Sequence, residues 1–169
     1  MKQLINKAFE SVRKAYETHN GQIFVGNSGG KDSCVVLHIT RKLFPNVIVI
    51  HNSKLEPGKT HPLTRNFLYE QSAEFPIMFL PSSKMEEVVK KEKLTCQVDG
   101  TRRAEFDRTE KSDDVIINGK SVNRKDMPGY VHVGIFGLSA VYPIYDWTDK
   151  NVFEYIKEES IKISAEYDV

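Results

Sequence analysis

"VGNSGGKDSCVVLHI", residues 25–39, sets six residues that no hydrophobic core wants, Ser28-Gly29-Gly30-Lys31-Asp32-Ser33, between two apolar runs. The run before them, Gln22–Asn27, is short and reads as a buried strand. The run after them, Asp32–Phe44, is too long for an ordinary strand and reads as a largely buried helix, stopped by Pro45-Asn46. A polar loop that closes a strand and opens a helix belongs at the carboxyl edge of a parallel sheet, where open α/β folds bind ligands. Glycines at 29 and 30 remove the Cβ atoms that would hold a ligand off the backbone, and they permit positive φ. Amides of the loop and of the first helical turn then form an anion cradle, to which Lys31 adds a full charge. The plainer alternative is a tight turn in which Ser28 and Asp32 only cap.

Upstream, Leu4, Ile5, Ala8, Phe9, Val12 and Tyr16 recur at helical spacing, predicting an amphipathic helix over 2–18 that ends at Asn20-Gly21. Downstream, "NVIVIHNS" (46–53) predicts a second strand and Thr60–Phe75 a second helix, with Pro62 in its first turn. "PIMFLPSS" (76–83) predicts a third strand, and Lys84–Lys93 a charged helix with Met85, Val88 and Val89 inward. Residues 95–130 are polar, with one short strand expected at "DVIINGK" (114–120) and turns at Asn118-Gly119 and Pro128-Gly129. "YVHVGIF" (130–136) alternates like a strand, and Thr148-Asp149 reads as the N-cap of a helix over Lys150–Glu159. Strand and helix alternating in this way point to an α/β domain with a parallel sheet flanked by helices. Residues 1–169 read as one domain: 1–94 a βαβ core carrying the loop, 95–169 an arginine-rich loop, a strand and a terminal helix.

Composition narrows the partners. A net charge of +1 gives no field for nucleic acid or membrane, and the basic residues of 102–125 are nearly matched by acids. No apolar run approaches the roughly 18–20 residues needed to span a bilayer. The opening "MKQLINKAFESVRKAY" has no apolar core of the kind a signal peptide needs. Cys34 and Cys96 are the two cysteines and form no CxxC, so a reducing cytoplasm is the expected setting. His51, His61 and His132 lack metal-ligand spacing, and His38, inside an apolar helix, reads as structural.

The Walker pattern fails at Val25 and Asp32, and the dinucleotide fingerprint fails too. SGGKDS instead resembles the PP-loop, SGGxDS, of the ATP pyrophosphatase superfamily. That resemblance implies a Rossmann-like domain of the adenine nucleotide α-hydrolase type. It also implies cleavage of ATP between the α and β phosphates, with pyrophosphate held by Ser28, Gly29, Gly30, Lys31, Asp32 and Ser33. "DGTRRAEFDRTEK" (99–111) and "VYPIYDWTDKNVFEYI" (141–156) are similar to motifs of the phosphoadenylyl-sulfate (PAPS) reductase family. That family includes the small subunit of ATP sulfurylase and FAD synthetases. The resemblance runs from about Gln22 to Ile156, whereas "HNSKLEPGKTHPLT" (51–64) departs from the usual Asp-Thr-Gly and looks like short phage-encoded members.

The implied ligands are ATP or a related adenine nucleotide with Mg²⁺. Adenine is expected beside His51, Asn52 and Ser53, and the second motif brings Gly100, Arg102 and Arg103 to the nucleotide. Lys31 and Arg102 are the expected catalytic residues, Arg102 neutralising charge on the α-phosphate or the acceptor. Two adjacent arginines in a loop cannot face one way, so the other is expected to pair with Glu105 or Asp107. Asp32 either binds Mg²⁺ or caps the helix, and Trp147 is expected to pack the last helix on the sheet rather than stack a base. No general base stands out, which suits an anionic acceptor such as sulfate.

No cysteine follows Cys96, whereas reductases of this family attack with a C-terminal cysteine and their iron–sulfur forms need more. No iron–sulfur cluster is therefore expected. Three readings remain: adenylyl transfer or hydrolysis with release of pyrophosphate, PAPS reduction with a thiol borrowed from a partner, or nucleotide binding without turnover. A homo-oligomer or a GTPase partner has no visible docking signal.

Overall fold

A computed structural model describes residues 1–53, 60–108, 114–117, 120–123, 130–132 and 137–167. The expected helices at the start and in the crossovers are α1 (Lys2–Thr18), α2 (Lys31–Leu43), α3 (Pro62–Glu74) and α4 (Ser82–Lys91). They alternate with β1 (Ile23–Gly26), β2 (Ile48–Ser53) and β3 (Met78–Pro81). The second half supplies β4 (Cys96–Val98), α5 (Arg103–Arg108), β5 (Asp114–Ile117), β6 (Lys120–Asn123), β7 (Tyr130–His132), β8 (Ser139–Val141) and α6 (Asp149–Glu158). A 3-10 turn, Ala165–Tyr167, follows.

The main sheet runs in the order β3-β2-β1-β4-β8-β7, and β5 pairs with β6 as a separate antiparallel hairpin. Five strands are parallel; β7 joins the edge antiparallel to β8. Central β1 pairs on both sides, Phe24 lying opposite Ile48 of β2 and Gln97 of β4. The chain leaves β1 for β2 on one side and later returns to β4 on the other. This reversal opens a crevice at the carboxyl ends of β1 and β4, where the loop beginning at Asn27 emerges.

Alternation along the strands divides the core. Ile23 and Val25 belong to one cluster with Ala8 and Val12 of α1, Ile39 of α2 and Val152 of α6. Phe24 and Ile50 face the other way, onto Met85 and Val89 of α4. Trp147 is buried in the first cluster with its ring edge-on to Tyr155, 5.4 Å between centroids, so it packs the last helix as expected. Helix α6 begins with a capping box, Thr148 accepting from the Asn151 amide while the Asn151 side chain accepts from the Thr148 amide.

Among the described residues, β4, α5, β6, β8 and the 3-10 turn go beyond the expected set. β4 and β8 are three-residue strands, too short to show a period, and they are strands because they pair with each other and β4 with β1. The turns expected at Asn118-Gly119 and Pro128-Gly129, and the end of the strand expected over 130–136, lie outside the described residues. Among the described residues no helix is long and apolar enough to cross a membrane.

Candidate functional site

A cleft of about 1000 Å³ opens over the carboxyl ends of β1, β2 and β4. Phe24, Ile50 and Met85 give it an apolar part; Asn27, Ser28 and the residues from Gly30 to Ser33 line what we call its floor, and Asp99, Arg102 and Glu105 its wall. This size suits a small-molecule ligand, for which sites are commonly ~300–1000 Å³.

Short bonds shape the loop. The Ser28 amide donates to Ser33 Oγ at 3.2 Å, and the two serine hydroxyls are 2.7 Å apart. The Gly29 amide donates to Asn27 Oδ1 at 3.0 Å, and the Gly30 amide reaches Ser28 Oγ at 3.3 Å. Asn27 is buried and fixed in turn by Gln71 of α3, 3.0 Å away. These three amides therefore have partners inside the protein. The amides left for an anion by helix geometry are those of the first turn of α2.

The two glycines differ. Gly29 has φ +82°, and a Cβ there would lie 2.6 Å from Thr64 Cγ2 and 3.1 Å from Leu68 Cγ. It is buried against α3 and does not line the cleft, so its glycine answers to backbone conformation and packing rather than ligand approach. Gly30 has an ordinary φ of −75° at the N-cap of α2 and does line the cleft. Of the two glycines expected to bare the backbone to a ligand, Gly30 lines the cleft and Gly29 does not.

Four charges alternate across the floor. Lys31 Nζ lies 3.1 Å from Asp32 Oδ2 and 3.2 Å from Asp149 Oδ1. Arg102 places Nε 3.1 Å from Asp32 Oδ1 and Nη2 2.7 Å from Asp149 Oδ1, and Nη1 donates to the Trp147 carbonyl at 3.3 Å. The Arg102 side chain is 2% exposed. Burial alone would lower its pKa, but the two carboxylates outweigh that and raise it. Lost hydration pushes the Asp149 carboxyl up; bonds from Lys31 and Arg102 reverse this and hold it below the usual range. Of the two roles open for Asp32, the structure shows neither: Gly30 is the N-cap, without a side-chain capping bond, and Asp32 is a counter-ion. A cation lies near each Asp32 oxygen, and Oδ1 is buried without a hydrogen bond of its own. Among the described residues no group of three His, Cys, Asp or Glu is placed to hold a metal.

The remaining expected residues separate. His51 and Asn52 line the cleft; His51 is buried and donates from Nδ1 to the Asn27 carbonyl at 2.8 Å. Ser53 ends β2, and its side chain is outside the described set. Gly100 lines the cleft, but a Cβ there would meet the Asp32 carbonyl carbon at 2.8 Å and the Ser33 nitrogen at 2.9 Å. A side chain would push the second motif off the first turn of α2. Arg102 lines the cleft as expected, whereas Arg103 lies outside its lining, over the Tyr145 ring at 4.7 Å and 3.1 Å from Asp146, a partner the sequence reading did not name. Glu105 faces the cleft, accepts from the Arg102 amide, and has its pKa raised chiefly by burial.

Sequence reasoning passed over Asn27, Glu105 as a cleft residue, Asp149, Glu166 and Tyr167. Asn27, beside the loop and at a strand end, carried a signal: a buried side chain there must bond the loop or be wasted. Asp149 was read as a cap neighbour, and nothing local ties it to Lys31.

Comparisons with known proteins place the fold and the family. The family model described as the phosphoadenosine phosphosulfate reductase domain matches residues 22–168. No curated protein sequence matches the chain. Among solved structures, PAPS reductase from Candida auris, in a phosphate complex, superposes with a TM-score of 0.67 at 14% identity, over 96% of this chain and 84% of that one. FMN adenylyltransferase from Candida glabrata in complex with ATP gives 0.67 at 15% identity, over 98% of this chain and 57% of that one. The same enzyme with FAD and inorganic pyrophosphate gives 0.70 at 16% identity, over 98% and 58%. At such identities the superpositions speak for a shared fold, and this chain spans little more than half of the adenylyltransferase. The family match covers the loop, the second motif and the strands that bring them together, and on that ground the chain belongs to the phosphoadenosine phosphosulfate reductase domain family.

Proposed function

We propose that the chain binds ATP or a related adenine nucleotide in this cleft and cleaves it between the α and β phosphates, passing the adenylyl group to a small acceptor or to water. One observation carries the reading: the SGGKDS turn and an apolar slot of Phe24, Ile50 and Met85 share a single cleft. Adenine goes to the slot beside His51 and Asn52, and the β and γ phosphates go to the first turn of α2. When the acceptor attacks the α-phosphorus, the bond to the bridging oxygen breaks and its electron pair leaves on pyrophosphate. Preorganised amides and Lys31 hold that growing charge more tightly than the ground state, which lowers the barrier. Arg102, committed to Asp32 and Asp149, acts by positioning Lys31 rather than by touching phosphate.

The solved complex of FMN adenylyltransferase with FAD and inorganic pyrophosphate supports adenylyl transfer on this fold. Reduction of PAPS by a thiol of this chain is less well supported, because both cysteines are buried and their thiols are pushed up to about 12, which leaves a thiol borrowed from a partner as the form of that reading. Neither supplies a thiolate at neutral pH.

The test is pyrophosphate release from ATP with a panel of acceptors including sulfate, followed by mass spectrometry of the adenylyl products. The double variant Gly30→Val, Lys31→Ala should lose about 100-fold or more of the activity, the scale of removing preorganised charge stabilisation. Release that persists unchanged in that variant disproves the assignment. Tight ATP binding by the wild type without turnover supports the binding-only reading instead.

A further inference from the structure

The 3-10 turn Ala165–Tyr167 lies against the phosphate loop, and the proposed reaction does not use it. Tyr167 and Glu166 line the same cleft as Gly30 and Lys31. A Cβ built on Gly30 would lie 3.3 Å from the Tyr167 hydroxyl oxygen, so this hydroxyl covers the glycine of the Ser28–Ser33 loop that lines the cleft. Lys31 Nζ sits 5.8 Å from the Tyr167 ring centroid. The turn is anchored beside the loop as well: Thr64 Oγ1 donates to Glu166 Oε1 at 2.8 Å, and His61 Nδ1 lies 3.8 Å from Glu166 Oε2. Just before it, Ser164 is fully buried and Lys162 pairs with Glu74 at 2.9 Å. Burial raises the Tyr167 pKa, while the Lys31 backbone amide works the other way, as expected of an amide directed at the hydroxyl.

We infer that Tyr167 is a placeholder for a phosphate oxygen: its hydroxyl occupies the anion position at the start of α2, so the turn and a bound pyrophosphate group exclude one another. The inference rests on the loop being the phosphate site. Three features point to competition rather than cooperation. The hydroxyl lies over bare backbone that any phosphate on this loop must approach. The ring blocks Lys31 from one side. Glu166 adds a carboxylate at the same mouth, which repels an anion. The binding-competent state is then the one with the turn displaced, and apparent affinity falls by the fraction of molecules in that state.

Inorganic pyrophosphate titrated into the full chain by calorimetry, with hydrogen exchange followed over 160–167, tests this. Tyr167→Phe and Tyr167→Ala should each bind pyrophosphate about 3- to 10-fold more tightly than wild type, the equivalent of one hydrogen bond no longer competing. In the wild type, saturating pyrophosphate should speed exchange in 160–167. Weaker binding in Tyr167→Phe, or slower exchange on binding, would make the hydroxyl a ligand contact and overturn the inference while leaving the phosphate site intact. Equal affinities with unchanged exchange would overturn it too. Absence of pyrophosphate binding in wild type and both variants would remove the phosphate site, and the placeholder with it.

Discussion

The floor of the cleft and its wall are held in different ways. From Asn27 to Ser33 the backbone of the loop is shaped by bonds spanning two to five residues, with longer tethers from Asn27 to Gln71, His51 and Ile50. The wall is held by Arg102, whose partners are Asp149, 47 residues away, and Asp32, farther still. The turn itself is thus set by bonds among its own residues, and β2 and α3 fasten its first residue, Asn27. The wall needs β4, which pairs with β1 and leads into Arg102, and α6, which packs on α2 and carries Asp149. The two arginines of the second motif repeat the contrast, one sealed inside the charge cluster and its neighbour on the surface against Asp146.

The largest expected effect breaks the wall. Arg102→Met leaves Asp32 and Asp149 with Lys31 as their shared cation and should cost about 3–5 kcal/mol of stability, the range for removing one partner of a buried ion pair. Arg103→Met removes a half-exposed pair and should cost under about 1 kcal/mol. Urea unfolding of both variants reads the difference directly. Equal midpoints would mean that Arg102 is not the keystone its burial suggests. Arg102→Lys should not rescue, because one ammonium cannot span two carboxylates and the Trp147 carbonyl.

A smaller effect separates the glycines of the loop. Gly29→Ala meets both a left-handed φ and a methyl 2.6 Å away, and should lose about 2–3 kcal/mol of stability. Gly30→Ala, with ordinary φ and contacts no closer than 3.3 Å, should change stability by less than about 1 kcal/mol yet weaken pyrophosphate binding. Thermal unfolding and calorimetry on the pair would reverse this assignment if Gly29→Ala proved as stable as wild type.

This local-versus-distant contrast also explains what could be read from the chain. β1, the loop and α2 were legible because apolar runs, paired glycines and a polar break sit within some twenty residues. Helix α6 was legible from its cap, Thr148. β4 and β8 were not, since three residues carry no period and their pairing is decided by strands far away in sequence. The ion pairing of Asp32 was hidden for the same reason. Its neighbours in sequence suggest a cap or a metal ligand, and only the docking of Arg102 makes it a counter-ion. Gly100 looked like a ligand contact, yet the backbone it must clear belongs to α2.

The smallest effect concerns Glu105, where wall and floor meet. Its carboxyl is raised above the usual range, mainly by burial and against the pull of the Arg102 amide. A raised carboxyl in the folded state means that folding favours the proton. Stability is therefore greatest below the unfolded-state pKa and declines as pH climbs past it toward the folded value. Glu105→Gln keeps an acceptor for the Arg102 amide and removes the titration. Its melting temperature should match that of wild type near pH 4 and rise above it progressively toward neutrality. A gap that stays constant with pH, or that favours wild type at neutral pH, would show that Glu105 is held in the cleft wall by its charge rather than in spite of it.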